Sequence, residues 1–137
     1  MYYINLVMKN YFFLIIEYIY YLSLVILLIL YLYPGSLLGY FFYGNLDRQP
    51  ILIESSIGSS INHFISFSFL SILAIICNLQ KKFILNNFLF LLFVSILLEI
   101  LHIVIPNRAF EFYDLIANVL GVLIIILLER LRKWLNY

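Results

Sequence analysis

Four long apolar runs dominate the pattern of hydrophobic and polar positions, and they cover residues 11–33, 61–79, 83–105 and 112–128. Turn-forming residues separate them, such as Pro34-Gly35 after the first run and Pro106 after the third. An α-helix rises about 1.5 Å per residue, so about 20 apolar residues cross a hydrocarbon core of about 30 Å. The pattern predicts an all-α, polytopic membrane protein whose four transmembrane helices form a bundle and a single domain over residues 1–137.

The connection over residues 36–60 departs from this pattern, because it mixes aromatic, polar and turn-forming residues. Aromatic side chains of this kind lie well at the headgroup level of a bilayer. We therefore expect part of the connection to be an interfacial or re-entrant segment. Its aromatic block is Tyr40-Phe41-Phe42-Tyr43, and the serines that could cap the second span are Ser55, Ser56, Ser59 and Ser60.

The composition indicates that lipid is the main solvent of the chain. Of 137 residues, 66% are hydrophobic and 11% are charged, and the mean hydropathy is +1.09. Soluble domains are about half apolar and about a quarter charged. A net charge of +1 argues against a nucleic-acid partner, which requires a basic surface. The single Cys77 excludes a disulfide within the chain and a metal site made of cysteines alone.

The basic residues divide unequally between the two sides of the predicted bundle. Arg48 and Arg108 lie on one side, and the other six lie on the opposite side. The positive-inside rule assigns the richer side to the cytoplasm. We therefore predict a multi-pass protein of the bacterial inner (cytoplasmic) membrane with both termini cytoplasmic. The six residues on that side are Lys9, Lys81, Lys82, Arg130, Arg132 and Lys133.

This topology brings polar residues of three spans to the extracytoplasmic side, where polar groups inside a membrane usually have a function. Glu99 and His102 are three residues apart and share a helix face. Asp114 and Asn118 are four residues apart and also share a face. Gly121, one turn later, lacks a side chain and would let a neighbouring helix approach. We predict a ligand or headgroup pocket made of His63, Glu99, His102, Arg108, Asp114 and Asn118.

These residues also carry a resemblance to the VanZ-like family, small integral membrane proteins named after a teicoplanin-resistance protein. The family patterns are E-x-x-Q, P-x-R and D-x-x-x-N-x-x-G, with D-K-x-x-H-F upstream. The resemblance spans residues 30–128 and implies a membrane protein of four or five helices. The matching stretches are Glu99-x-x-His102, Pro106-Asn107-Arg108, Asp114-x-x-x-Asn118-x-x-Gly121 and Ser59-Ser60-x-x-His63-Phe64.

The chain departs from the family patterns in three places, which comprise four residues. Ser59-Ser60 replaces the acidic–basic pair, His102 replaces a glutamine, and Ile125 replaces a second glycine. The first departure changes the surroundings of His63, and the second introduces a titratable group. Some family members are linked to lipoglycopeptide resistance, but the family has no settled biochemical activity.

The resemblance and the pocket together favour binding or modification of a lipid or lipid-linked envelope headgroup, in a role of the glycopeptide-resistance type. Arg108 is suited to bind phosphate through two hydrogen bonds, as in a phospholipid or an undecaprenyl-type phosphate. Asn118 and His63 would orient the headgroup. The structural alternatives are a salt bridge from Arg108 to Asp114 or Glu111 and a hydrogen-bonded network that joins the helix ends.

Two other functions stay open. The small chain without a soluble domain fits an accessory subunit of a larger membrane complex, such as a pigment–protein assembly in which a histidine binds a tetrapyrrole. Alternatively, Glu99, His102 and Asp114 perform acid–base or metal-assisted hydrolysis. Neither H-E-x-x-H nor G-x-S-x-G is present, so we assign no metal site and no nucleophile. The sequence leaves the cofactor, the ligand, the partner subunits and enzymatic activity undetermined.

Overall fold

The computed structural model describes residues 2–53, 58–78 and 87–136. For residues 2–10 it describes the backbone but not the side chains. These residues form five α-helices and no strand. Within them, three helices are long and apolar enough to cross a membrane, which agrees with a helical membrane protein. The helices are α1 (Tyr2–Leu32), α2 (Leu37–Tyr43), α3 (Gly58–Asn78), α4 (Phe88–Leu101) and α5 (Phe112–Leu135), of which α1, α3 and α5 are the long ones.

The predicted third span, residues 83–105, is present only in part. α4 has 14 residues, which at 1.5 Å each is about 21 Å and less than a hydrocarbon core of about 30 Å. Residues 83–86 lie outside the described residues, and residues 102–105 form a turn instead of continuing the helix. The helix ends where the backbone N–H of His102 bonds to the carbonyl of Glu99. A fourth span is therefore not established by the described residues.

The other predicted spans differ from the helices at their ends. The first candidate span, Tyr11–Leu32, agrees with the predicted residues 11–33, although α1 itself begins at Tyr2. α3 begins at residue 58 and not at 61, and α5 continues to Leu135 and not to 128. The end of an apolar run does not by itself end a helix, because charged residues such as Lys and Arg are good helix formers. In α5, Glu129 pairs with Arg132 and Lys133 three and four residues later, and such pairs support the extra turns.

α3 lies at the centre of the bundle. It packs mainly on α5 and also on α1, while α4 packs on α5. Gly121 lies where α3 and α5 meet, because a Cβ added there would be 2.7 Å from the carbonyl oxygen of Phe64. A side chain at this position would push the two helices apart. α1 contributes a buried stripe of residues three or four apart, Tyr20, Leu24, Leu27 and Tyr31.

α2 is a short capped helix with an aromatic surface. The hydroxyl of Ser36 accepts a hydrogen bond from the N–H of Gly39 at 3.0 Å and caps the start of the helix. Gly44 ends it in the left-handed conformation, with φ 67°. Seven residues are too few to cross a membrane. The side chains of the aromatic block are exposed in all four cases: Tyr40, Phe41, Phe42 and Tyr43.

α2 and the loop that follows it lie over one end of the bundle, where α1 and α4 end and α3 and α5 begin. We call this the polar end. Asn62 of α3 holds the loop, since it donates to the carbonyl of Pro50 at 2.7 Å and accepts from the N–H of Leu52 at 3.2 Å. The N–H of Ser36 bonds to the carbonyl of Leu46 at 2.6 Å and fixes the other side of the loop.

Candidate functional site

His63, near the start of α3, lies at the centre of a buried cluster at the polar end, with only 6% of its surface exposed. Its Nδ1 is 2.9 Å from the hydroxyl oxygen of Tyr31 and 3.2 Å from Oδ1 of Asn118. The Tyr31 hydroxyl donates to the same Oδ1 at 2.9 Å. α1, α3 and α5 therefore meet in one triangle of hydrogen bonds.

Asp114, at the start of α5, faces the other nitrogen of the same ring. Its Oδ2 is 3.5 Å from Nε2 of His63. Two hydroxyls of the first turn of α3 donate to its Oδ1, Ser60 at 2.5 Å and Ser59 at 3.2 Å. α3 thus supplies the donors that a nearly buried carboxylate requires.

Glu99 and His102 form a second histidine–carboxylate pair, on α4. Nδ1 of His102 is 3.3 Å from the Glu99 carboxylate, and Nε2 is 3.2 Å from the backbone carbonyl oxygen of Tyr31. Glu99 has no exposed surface, and it also accepts from the N–H of Glu111 at 3.1 Å and from Nδ2 of Asn118 at 3.4 Å. The ring of His102 stacks on that of Tyr31 with centroids 5.7 Å apart. These contacts join α4 to α1 and α5.

In both histidine–carboxylate pairs, the ring nitrogens face more hydrogen-bond acceptors than a neutral imidazole has N–H groups to donate. A neutral imidazole carries one N–H, but both nitrogens of His102 face acceptors, the Glu99 carboxylate and a carbonyl. For His63, Nδ1 faces the Tyr31 hydroxyl and Oδ1 of Asn118, while Nε2 faces Asp114. In each pair one ring nitrogen therefore lies close to a carboxylate.

A cavity of about 150 Å³, which we call the polar cavity, opens beside this cluster. A smaller cavity of about 80 Å³ adjoins it and extends beneath α2. One water molecule needs about 10–15 Å³, so the polar cavity has room for a much larger polar group. Most of its wall is polar, formed by Gly35, Ser36, Leu46, Asp47, Gln49, His63, His102, Asn107, Arg108, Ala109, Glu111 and Asp114.

Arg108 closes one edge of the polar cavity and also caps α1. Its Nη2 donates to the carbonyl of Leu30 at 2.6 Å, and its Nε donates to that of Tyr33 at 3.3 Å. Carbonyls at the end of a helix lack helical partners, and a positive charge there is favourable. The expected alternative, a salt bridge to Asp114 or Glu111, is absent from the ion pairs of the described ranges. The two carbonyls use two of the five N–H donors of the guanidinium.

Three charged residues of the cavity wall, Asp47, Arg108 and Glu111, lie outside the long helices. Burial lowers the pKa of the Arg108 guanidinium, although arginine in proteins remains protonated. Burial also raises the pKa of the Glu111 carboxyl, and the charges of Asp114 and Glu99 add to this shift. The cavity therefore keeps a permanent cation, and Glu111 holds a proton more tightly than an ordinary glutamate does.

The six residues predicted to form the pocket come together at the polar end in two layers. Glu99 and Asn118 have no exposed surface and lie outside the walls of both cavities. They position the histidines and do not contact the cavity. The layer that lines the polar cavity consists of His63, His102, Arg108 and Asp114.

Sequence reasoning missed Tyr31, which contacts His63, His102 and Asn118. The chain has 12 tyrosines, and composition does not distinguish this one. The only signal was positional, because Tyr31 lies near the end of the first apolar run and therefore level with the start of the second. Asn62 was missed as well, since nothing in the sequence indicates that it holds a loop ten residues away.

The ring nitrogens of both histidines are occupied by protein neighbours. His63 contacts Tyr31, Asn118 and Asp114, and both nitrogens of His102 have acceptors nearby. Each ring nitrogen therefore has a polar protein atom within 3.5 Å. In the part of the chain that the structure describes, no group of three or more His, Cys, Asp or Glu side chains is arranged to hold a metal ion.

Comparison with models of known protein families, with curated proteins and with solved structures finds no match to this chain. The functional assignment therefore depends on the chemistry of the polar end.

Proposed function

We propose that this chain is a VanZ-like membrane protein that binds the phosphate-bearing headgroup of a lipid or lipid-linked envelope molecule in the polar cavity. In this proposal four helices cross the bacterial cytoplasmic membrane and the polar end faces outward. α2 lies in the interface, with its exposed aromatic side chains at headgroup level. The orientation is supported by the six basic residues that the sequence assigns to the opposite side.

The family part of the proposal is supported by contacts between residues that carry the resemblance. His63 lies against Asp114, which is 51 positions later in the chain, and Asn118 donates to Glu99. Ser59 and Ser60, which stand where the family has an acidic–basic pair, both donate to Asp114. Three separate sequence patterns therefore form one cluster.

The observation that carries the proposal is a cation and two imidazoles that line one cavity at the ends of membrane helices. Arg108 keeps donors beyond those that bind the carbonyls of α1, and a guanidinium matches the geometry of phosphate. His63 and His102 line the same cavity. The carboxylates of Asp114 and Glu111 offer acceptors for hydroxyl or amine groups of the headgroup.

Binding has more support than hydrolysis. Glu99, which the enzymatic hypothesis uses as a base, has no exposed surface and cannot touch a substrate. His63 and Asp114 do face the cavity, and a proton transfer to or from a bound headgroup would proceed through them.

Native mass spectrometry of the protein purified from membranes in mild detergent tests the proposal. We expect a phosphate-bearing lipid to remain bound to the wild type. Arg108→Lys keeps the charge but loses the two-pronged geometry, and Asp114→Asn keeps the size but removes the charge facing His63. Each should lower the retained lipid about tenfold, which is about 1.4 kcal/mol of binding free energy.

The matched control is Arg132→Ala at the other end of α5, where the side chain is 56% exposed and pairs with Glu129. It should retain as much lipid as the wild type. Equal retention by all four proteins would show that the lipid binds elsewhere and would contradict the proposal. Loss of the lipid in Arg132→Ala as well would show general lipid stripping and would contradict it too.

A further inference from the structure

A second, mainly apolar groove of about 210 Å³ lies between α1 and α3. Leu27 and Leu70 are buried in it, while Ile26 and Phe69 are exposed beside them. On α1 the groove extends from Ser23 to Tyr31, which is eight residue steps or about 12 Å at 1.5 Å per residue. It therefore covers a substantial part of the depth of one leaflet.

This groove adjoins the polar end. It shares the lining residues Leu30, Tyr31 and Ser66 with the smaller cavity of about 80 Å³. That cavity in turn shares His63, His102 and Arg108 with the polar cavity. The three cavities therefore adjoin one another in a row, which we call the path, from apolar side chains between α1 and α3 to a cation and two imidazoles at the helix ends.

The path is mainly apolar in the groove between α1 and α3 and becomes polar toward the helix ends. Within the groove the Ser66 hydroxyl donates to the carbonyl of Asn62 at 2.8 Å, so its hydrogen bond is used inside α3. The groove walls otherwise consist mostly of leucine, isoleucine and phenylalanine. A ligand that fills the whole path must therefore be apolar at one end and ionic at the other. The middle cavity, at about 80 Å³, is the smallest of the three, which favours a ligand with a single chain.

We propose that the groove and the polar cavity together bind one membrane lipid phosphate that has a single hydrocarbon chain. The phosphate lies in the polar cavity against Arg108, and the chain lies between α1 and α3. The inference rests on the proposed function for its headgroup end. To the proposed function it adds that the lipid has a single hydrocarbon chain and that this chain lies between α1 and α3.

Tryptophan quenching by a brominated chain tests this inference. The chain has a single tryptophan, Trp134, so Trp134→Phe gives a silent background. In that background, Phe69→Trp places a reporter in the groove. Ile72→Trp places a matched reporter on the same helix outside the groove, since the two positions are 50% and 45% exposed. The probe is lysophosphatidic acid brominated at mid-chain, added at a few per cent to nanodiscs of unlabelled phosphatidylcholine.

We expect the probe to quench the reporter at 69 at least threefold more than the reporter at 72. Filling the groove with Ser23→Phe should abolish the difference, whereas Leu22→Phe, at a position that is 61% exposed on the same helix, should preserve it. Equal quenching at 69 and 72 would overturn the inference. A difference that survives Ser23→Phe would overturn it as well.

Two further arms separate this inference from the proposed function. If lysophosphatidic acid stays bound in native mass spectrometry while the reporter at 69 is quenched no more than that at 72, headgroup binding stands and the chain site is wrong. If a brominated monoacylglycerol, which lacks phosphate, quenches the reporter at 69 as strongly as the phosphate lipid, headgroup recognition is wrong. The inference as stated then fails with it.

Discussion

At the polar end, Glu99 and Asp114 are 0% and 5% exposed, and both carboxylates accept hydrogen bonds from other parts of the chain. At the far end of α5, Arg132 and Lys133 pair with Glu129 through side chains that are 56% and 64% exposed. Both ends carry opposite charges close together. They differ in how much water reaches those charges.

This difference in burial indicates which of the two ends is the better candidate for a functional site. An exposed ion pair contributes little to stability and is easily replaced. Buried ionisable groups are costly, and they are tolerated only where partners satisfy them. The polar end bears this cost beside a cavity, whereas the far end carries a surface anchor of basic and aromatic side chains. The comparison therefore supports the polar end as the place of the proposed ligand site, and the following experiments test it from the largest effect to the smallest.

Removal of the Glu99 carboxylate is expected to have the largest effect on the free energy of unfolding. Glu99→Ala leaves the N–H of Glu111, the amide of Asn118 and the ring of His102 without their acceptor. Removing one partner of a buried charged network costs about 3–5 kcal/mol. We expect a loss of that order in the free energy of unfolding, measured by denaturant titration in a fixed detergent.

Two controls accompany this measurement. Glu99→Gln keeps an acceptor oxygen and should cost clearly less than Glu99→Ala. Arg132→Ala, at the exposed end, should leave the unfolding transition nearly unchanged. A similar loss for Glu99→Ala and Arg132→Ala would remove the distinction between the two ends.

A smaller effect is expected from Tyr31→Phe. The change removes only the hydroxyl that joins His63 to Asn118, and those two side chains remain 3.2 Å apart and compensate in part. Loss of a buried hydrogen bond of this kind costs about 1–2 kcal/mol. Tyr18→Phe is the matched control, because Tyr18 lies on the same helix and is 69% exposed. If both changes cost the same, Tyr31 does not organise the cluster.

The smallest effect concerns pH. Burial, with the charges of Asp114 and Glu99, raises the pKa of Glu111 above its ordinary 4.5 in the folded protein. The folded form then binds this proton more tightly than the unfolded form, so the contribution of Glu111 to stability is present below pH 4.5 and is lost as the pH rises through the folded pKa. Glu111→Gln should therefore be slightly more stable than the wild type at pH 7.

That advantage should shrink as the pH is lowered toward 4.5, the ordinary value for this group. Comparing the unfolding curves of the two proteins over this pH range isolates Glu111 from the other titrating groups. An advantage that stays constant or grows on acidification would contradict the assigned shift.

The sequence was sufficient to predict a helical membrane protein, three of whose described helices are long and apolar enough to cross a membrane, and the approximate position of the cluster, because apolar length and helical spacing are local properties. It placed the end of α5 too early, since the apolar run ends near Leu128 while the Glu129 ion pairs continue the helix. It also extended the third span through His102 to residue 105, where the backbone turns instead.

The site was predictable as a set of residues but not as an arrangement. Spacing placed Glu99 and His102 on one face, but only packing determines that Glu99 lies behind the cavity and His102 lines it. The role of Arg108 at the end of α1 depends on a contact across 78 residues. Such contacts are set by how the helices pack, and no local pattern encodes them.

The most direct test of the assembled cavity uses the two histidines of the chain. In nanodiscs, ring ¹⁵N labelling of histidine gives signals from His63 and His102 alone. We expect titration with phosphatidic acid to shift the signals of both rings together, and Asp114→Asn to move the Nε2 signal of His63 and weaken the response to the lipid. If the ring signals do not change on addition of phosphatidic acid, no headgroup enters the cavity. If they do not change in Asp114→Asn either, His63 does not face Asp114, and the account is contradicted.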